Sequence, residues 1–173
     1  MNIIESVPSR HGAGILEILN DVIVTSTALY EYVPRTTESM VPWFEAKVKK
    51  DSPVVVAVDE TDAVLGFATY GPFRSFPAYK YTVEHSVYVH RGHRGRGLGT
   101  ALMQRLMALA VSQHYHTMIG VVDAGNAASV ALHERLGFVR AGVVRQAGFK
   151  FGAWLDAAFY QIILPTPDSP VEG

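Results

Sequence analysis

No cysteine occurs among the 173 residues, which excludes disulfides, thiolate metal sites and a thiol nucleophile. Charge is sparse and balanced: 15 Lys and Arg against 16 Asp and Glu give a formal net charge of -1. A chain so nearly neutral has no bulk attraction for nucleic acid or an anionic membrane, so any polyanion must be held by a local cluster. No apolar run approaches the roughly 20 residues of a membrane span, and Met1-Asn2-Ile3-Ile4-Glu5 lacks the basic and apolar regions of a signal peptide. A cytoplasmic protein with no membrane and no nucleic-acid partner is therefore expected. Hydrophobic residues, by contrast, make up 49% of the chain, enough to bury one core without staples.

The apolar pattern predicts one α+β domain over residues 1–164 with a central mixed sheet. Ile3 and Ile4 start a short strand. Pro8-Ser9 breaks it, and then Ile15, Leu16, Ile18, Leu19, Val22 and Ile23 recur at helical spacing. Residues 25–34 have no period and read as a loop, in which Tyr30 and Tyr32 either line a cleft or pack. A second helix is expected from Thr37 or Ser39 to Lys50, with Pro42 admissible only in its first turn. Residues 54–58 and 64–70 read as a hairpin, and residues 81–89 as a further β segment. From Leu98 apolar residues repeat every three or four positions, which predicts a long helix. Residues 118–122 form a strand, Asn126 caps a helix that stops at Gly137, and residues 138–144 and 154–164 complete the strands. The tail 165–173, with Pro165, Pro167 and Pro170, is expected to fray.

The informative segment joins the third of these β regions to the long helix: Val87-Tyr88-Val89-His90-Arg91-Gly92-His93-Arg94-Gly95-Arg96-Gly97-Leu98-Gly99-Thr100. Glycines there let backbone approach a ligand, and the first N–H groups of the helix are unsatisfied and favour an anion. Arg94 and Arg96 add charge-assisted donors. A Walker loop would need a lysine after its last glycine, and a Rossmann turn would need G-x-G-x-x-G after the first strand; neither spacing is present. A basic surface turn remains the plain alternative to a pyrophosphate cradle.

Arg94-Gly95-Arg96-Gly97-Leu98-Gly99 resembles the acetyl-CoA pyrophosphate motif of the GNAT acetyltransferases, and the segment from Asn126 to Leu136-Gly137-Phe138 resembles their second cofactor-side motif. The likeness narrows to the phosphinothricin and methionine sulfoximine acetyltransferase group. It does so through Thr25-Ser26-Thr27, Gly71-Pro72-Phe73-Arg74, the run from Tyr81 through Glu84-His85-Ser86 to Val89, Leu132-His133-Glu134 and Gly148-Phe149-Lys150-Phe151-Gly152. The resemblance implies the acyl-CoA N-acyltransferase fold, a mostly antiparallel mixed sheet flanked by helices, with acetyl-CoA as cofactor and a homodimeric assembly. It implies that Val87, Tyr88 and Val89 pair with the pantetheine arm, that Gly95 to Thr100 hold the pyrophosphate, and that Asn126, with Ser129 beside it, binds near the thioester.

Attack on a thioester requires a neutral amine, so a base must take a proton from the ammonium. Glu84 is the candidate, since it lies just upstream of the cofactor strand. His133 stands where many GNAT enzymes have a tyrosine; it either donates or relays a proton to the departing thiolate or packs as a capping histidine, and both readings stand. Tyr88 and Tyr115 are the tyrosines that would otherwise be considered. Arg74, within Phe73-Arg74-Ser75-Phe76, suits a clamp on a substrate carboxylate, with His85 and Ser86 as second contacts. Lys150 would reach the site of a partner subunit. His114 and His116 show no metal-ligand spacing, and no metal is expected. The expected reaction is acetylation of the α-amine of a small amino acid or analogue. The alternatives are a peptide or protein N-terminus as acceptor, and a non-catalytic acyl-CoA sensor.

Overall fold

A computed structural model describes residues 1–172. It holds seven strands in one sheet, β1 (Asn2–Glu5), β2 (Val54–Val58), β3 (Val64–Pro72), β4 (Thr82–Val89), β5 (Thr117–Asp123), β6 (Val139–Lys150) and β7 (Ala153–Ile163), in spatial order β1-β2-β3-β4-β5-β7-β6. Every neighbouring pair is antiparallel except β4 and β5. Four helices cover it: α1 (Pro8–Thr25), α2 (Thr37–Lys49), α3 (Leu98–Ser112) and α4 (Ala127–Arg135).

Period-two alternation on the central strands sorts the core into two layers. Val54, Val56 and Phe67 pack with Ile15, Ile18, Leu19 and Phe44 of α1 and α2. Val55, Ala57, Ala68 and Val83 pack with Leu102, Met103 and Leu106 of α3 on the other face. Because β2 is covered on both sides, all five of its residues are buried, and the run is continuously apolar instead of alternating.

Three expectations are corrected. Pro42 lies beyond the first turn of α2, and the helix continues through it. A capping box between Thr36 and Ser39 fixes the N-terminus, and Met40 and Phe44 anchor the buried face. Strand β6 runs on to Lys150, past two irregularities in its register with β7, with Gln146 at a φ of 51°. The Pro-rich tail is tied down: Thr166 Oγ1 donates to the Tyr115 carbonyl at 2.6 Å, and the Val171 amide donates to Tyr81 Oη at 3.1 Å.

Candidate active site

The site begins where the only parallel pair comes apart. β4 and β5 are in register from Thr82↔Thr117 to His85↔Gly120 and no further. Beyond that point β4 stays with β3 as far as Val89↔Gly66, while β5 stays with β7 as far as Asp123↔Ala157. A fork opens between them. The His90 amide donates to Leu65 of β3 at 2.9 Å, so by strand alternation the backbones of Ser86 and Tyr88 also face β3, and those of Val87 and Val89 face the gap. A free strand edge of this kind recognises an extended amide chain. Arg94 Nε already donates to the Val89 carbonyl at 3.2 Å, which fixes one lip of the fork.

From the fork a groove of about 490 Å³ runs past Val87, Tyr88 and Val89 to the turn Arg94, Gly95, Gly97, Leu98, Gly99 and Thr100, with Asn126, Ser129, Leu132 and Arg135 of the α4 segment as its opposite wall. Gly95 and Gly97 have φ of 75° and 77°, a conformation that costs other residues free energy. Gly97 is the N-cap of α3 and supplies no side-chain acceptor, so the first amides of the helix are left for an anion. Gly99 lines the groove and also serves packing: a Cβ there would stand 3.3 Å from Leu132 Cδ2. Arg96 is exposed and lies outside the groove lining. The residues fit a diphosphate followed by an amide arm.

A second cavity of about 50 Å³ continues the groove into the fork, and Ala28, Val87, Tyr88, Asn126 and Ser129 line both. Asn126 Oδ1 accepts from the Ser129 amide at 3.1 Å and so caps α4. The inner cavity is closed by His85, Val121, Asp123 and His133. His133 is buried, with Nδ1 2.7 Å from the Ser129 carbonyl and Nε2 3.0 Å from His85 Nε2. Burial lowers the pKa of His133, partly offset by the Ser129 bond, and burial with His133 beside it pushes His85 down to about 3.

Glu84 lies on the other face of β4, half-buried, opposite Gly71 of β3. Burial raises its carboxyl above the usual range, and the Arg74 guanidinium opposes that rise. Arg74 is itself exposed, with its guanidinium 4.1 Å from the Phe73 ring and Nη1 donating to the Phe73 carbonyl. Ser75 and Phe76 are exposed and line neither cavity. Tyr88 is a neutral phenol pushed up to about 12 by burial. Tyr115 packs edge-on against Tyr70 and borders neither cavity.

One placement suggested by sequence is corrected, that of Lys150. His85 and Ser86 both line the inner cavity, from opposite faces of the strand; His85 turns toward α4 and Ser86 shares the face of Glu84 and Tyr88. Lys150 is buried within its own chain, where Nζ donates to the carbonyls of Ser26 at 2.7 Å and Leu29 at 2.6 Å. It holds the loop after α1 over the fork, a task shared by Thr27 Oγ1, which donates to Asp123, and Tyr32 Oη, which donates to the Phe149 carbonyl. Sequence reasoning missed Ala28, Asp123 and above all Gly120, where a Cβ would come within 2.5 Å of His133 Nε2 and 2.6 Å of His85 Nε2. A lone glycine inside a strand is the signal that could have found it.

Comparison with known proteins agrees with this geometry. The model of the acetyltransferase (GNAT) family matches residues 20–138. An L-methionine sulfoximine/L-methionine sulfone acetyltransferase of Pseudomonas paraeruginosa is 44% identical over 158 residues, 91% of this chain and 92% of that protein. A phosphinothricin N-acetyltransferase of Streptomyces viridochromogenes is 36% identical, over 92% of this chain and 87% of that one. The structure of a GNAT superfamily phosphinothricin acetyltransferase from Sinorhizobium meliloti in complex with acetyl-CoA superposes with a TM-score of 0.93 at 34% identity, covering 99% of this chain and 94% of that one. The chain belongs to the GNAT family of acetyltransferases. It is an acetyl-CoA-dependent N-acetyltransferase.

Proposed function

We propose that the enzyme acetylates the α-amine of a small amino-acid-like acceptor, of the kind represented by methionine sulfoximine, methionine sulfone and phosphinothricin, with Glu84 as general base. The observation that carries this reading is the half-buried Glu84 carboxylate one register pair before the fork, with the Arg74 charge close enough to act on it. The cofactor supplies an activated acetyl group. Val87, Tyr88 and Val89 would align its arm, Arg94 and the backbone from Gly95 to Thr100 its diphosphate, and Asn126 and Ser129 the junction of the two cavities. Arg96 stands near enough in sequence to add long-range charge only.

An ammonium that becomes an amide gives up two protons, so the residues at the fork must handle both. Glu84, made a stronger base by burial, is suited to take one from the ammonium. Arg74 is suited to the acceptor's carboxylate, with Ser86 on the same face and Phe73 stacking the guanidinium; Ser75 and Phe76 would join only if the loop closed over the acceptor. His133 holds a proton at Nδ1 and offers Nε2 on the far face.

We also read the protein as a homodimer. β6 is an edge strand, and Val139, Val144, Phe149, Phe151 and Trp154 of the β6–β7 hairpin are exposed; a second copy would cover them. The test of function is release of free thiol from acetyl-CoA across a panel of amino acids, sulfones, sulfoximines and short peptides. Rapid release with the amino-acid analogues and little with peptides is expected. Preference for peptides would move the acceptor to a protein N-terminus, and no release with any amine would leave a non-catalytic acyl-CoA binder.

A further inference from the structure

At the point where β4 and β5 part, two imidazoles meet across a missing side chain. His85 and His133 are 48 residues apart in sequence, both buried, with their Nε2 atoms 3.0 Å apart. Gly120 leaves the space between them, since a Cβ there would overlap both Nε2 atoms. The hydrogen-bond partners fix the protons. A carbonyl only accepts, so His133 Nδ1 carries a proton toward the Ser129 carbonyl; its Nε2 is therefore a bare lone pair in the neutral ring. The 3.0 Å contact then requires His85 Nε2 to donate, which leaves His85 Nδ1 as a bare acceptor. That atom is buried and has no partner among the described residues. An unpaired buried acceptor costs free energy and calls for a ligand or a role. His85 lines the inner cavity, whose volume of about 50 Å³ has room for a water.

We infer that His85 and His133 form a two-imidazole proton relay, entered at His85 Nδ1 from the inner cavity and ending on His133. The inference rests on the acetyl-transfer reading above and assigns a path for the second of the two protons. A proton leaving the acceptor nitrogen, directly or through one water, bonds to His85 Nδ1. The Nε2 proton of His85 passes to the lone pair of His133 Nε2. His85 ends neutral with its proton on Nδ1, and His133 ends as the imidazolium, still donating from Nδ1 to Ser129 and now donating from Nε2 to His85. The pair takes up the one proton that the acceptor nitrogen gives up, and no other. The burial that keeps His85 neutral makes it a conduit, while the Ser129 carbonyl makes His133 the resting place. Ser129 lines the cofactor groove as well, so the resting proton lies one hydrogen bond from the wall of that groove. The other ionisable groups around the pair include Asp123 of β5, in the wall of the same cavity, and Glu134 of α4, reached through Tyr160 Oη at 3.4 Å; Glu84 faces away.

Two measurements test this. Nitrogen-15 NMR of the imidazoles in the intact wild-type protein should show His133 protonated at Nδ1 and His85 protonated at Nε2 only. A proton resting on His85 Nδ1 would overturn the relay without reference to activity. In the thiol-release assay, His85→Gln keeps a donor near the Nε2 position but cannot forward a proton, and His85→Phe keeps only volume. Both should lower kcat by about 10- to 100-fold, with a flattened pH profile and unchanged affinity for acetyl-CoA. Wild-type kcat and pH profile in His85→Gln, with loss only in His85→Phe, would make His85 a positioning residue and overturn the relay. Wild-type protein that binds acetyl-CoA yet acetylates no amine would refute the proposed function instead, leaving the proton positions to stand or fall on the NMR.

Discussion

The two faces of β4 at the fork are built on opposite principles. On the face toward α1 and α2, Glu84 is half-buried and opposed by an exposed guanidinium. On the face toward α4, His85 and His133 are buried beside Phe138 and Tyr160 at the end of the inner cavity, each ring within 5.6 Å of a neighbouring aromatic. One residue of strand register separates the half-exposed carboxylate from the paired imidazoles. On the proposed reading, the two protons lost by the amine leave on opposite faces of the strand.

The largest effect should come from breaking the open face. Glu84→Gln removes the proposed base and keeps the shape, so kcat should fall by about 10²- to 10⁴-fold while calorimetric affinity for acetyl-CoA is retained. Comparable turnover in the variant would show the carboxylate to be a bystander. The histidine face is broken at Gly120 without touching either histidine: Gly120→Ala forces a methyl against both Nε2 atoms, an overpacking that costs about 1–3 kcal/mol of stability. Chemical denaturation should report that loss, and the NMR signature of the shared proton should vanish; a variant as stable as wild type would mean the rings move apart freely.

The histidine face carries a pH signature of its own. Both histidines have folded pKa values depressed below the unfolded value, His85 to about 3. Their contribution is therefore present above about pH 6.5, the unfolded value, and is lost as pH falls below it, because the unfolded chain takes up the protons the folded one refuses. While His85 remains neutral in the fold its slope is about 1.4 kcal/mol per pH unit, and His133 acts in the same direction. Melting temperature should drop between pH 7 and pH 5, and His85→Phe should lessen that drop. An equal drop in the variant would assign the acid sensitivity elsewhere.

What the sequence disclosed and what it hid divide along the same line. The glycine turn is local: Gly95 and Gly97 announce positive φ, Leu98 opens the helical period, and the cradle follows from neighbouring residues. The place of Glu84 on a strand was legible through the stretch around it. The fork was not, because where β4 leaves β5 depends on β3 and β7 holding their partners more strongly, a property of pairings far apart in the chain. The histidine pair and the Lys150 tie to Ser26, 124 residues away, are long-range for the same reason. The extension of β6 was hidden because its exposed, bulged backbone needs no alternation of apolar residues to form.

The smallest expected effect tests whether the open face is a coupled unit. Arg74 is exposed, and exposed charge pairs are worth about 0.2–1 kcal/mol, so Arg74→Ala should raise KM for a carboxylate-bearing acceptor by only about 2- to 5-fold. The pH profile is more telling than the magnitude. Arg74 now holds the Glu84 carboxyl down against the burial that raises it. Removing the guanidinium lets burial act alone, so the acid limb of kcat/KM should move to higher pH, with kcat on the alkaline plateau unchanged. A rise in KM without that displacement would mean that Arg74 meets the acceptor's carboxylate but leaves the base untouched, and the two residues would then serve the substrate separately.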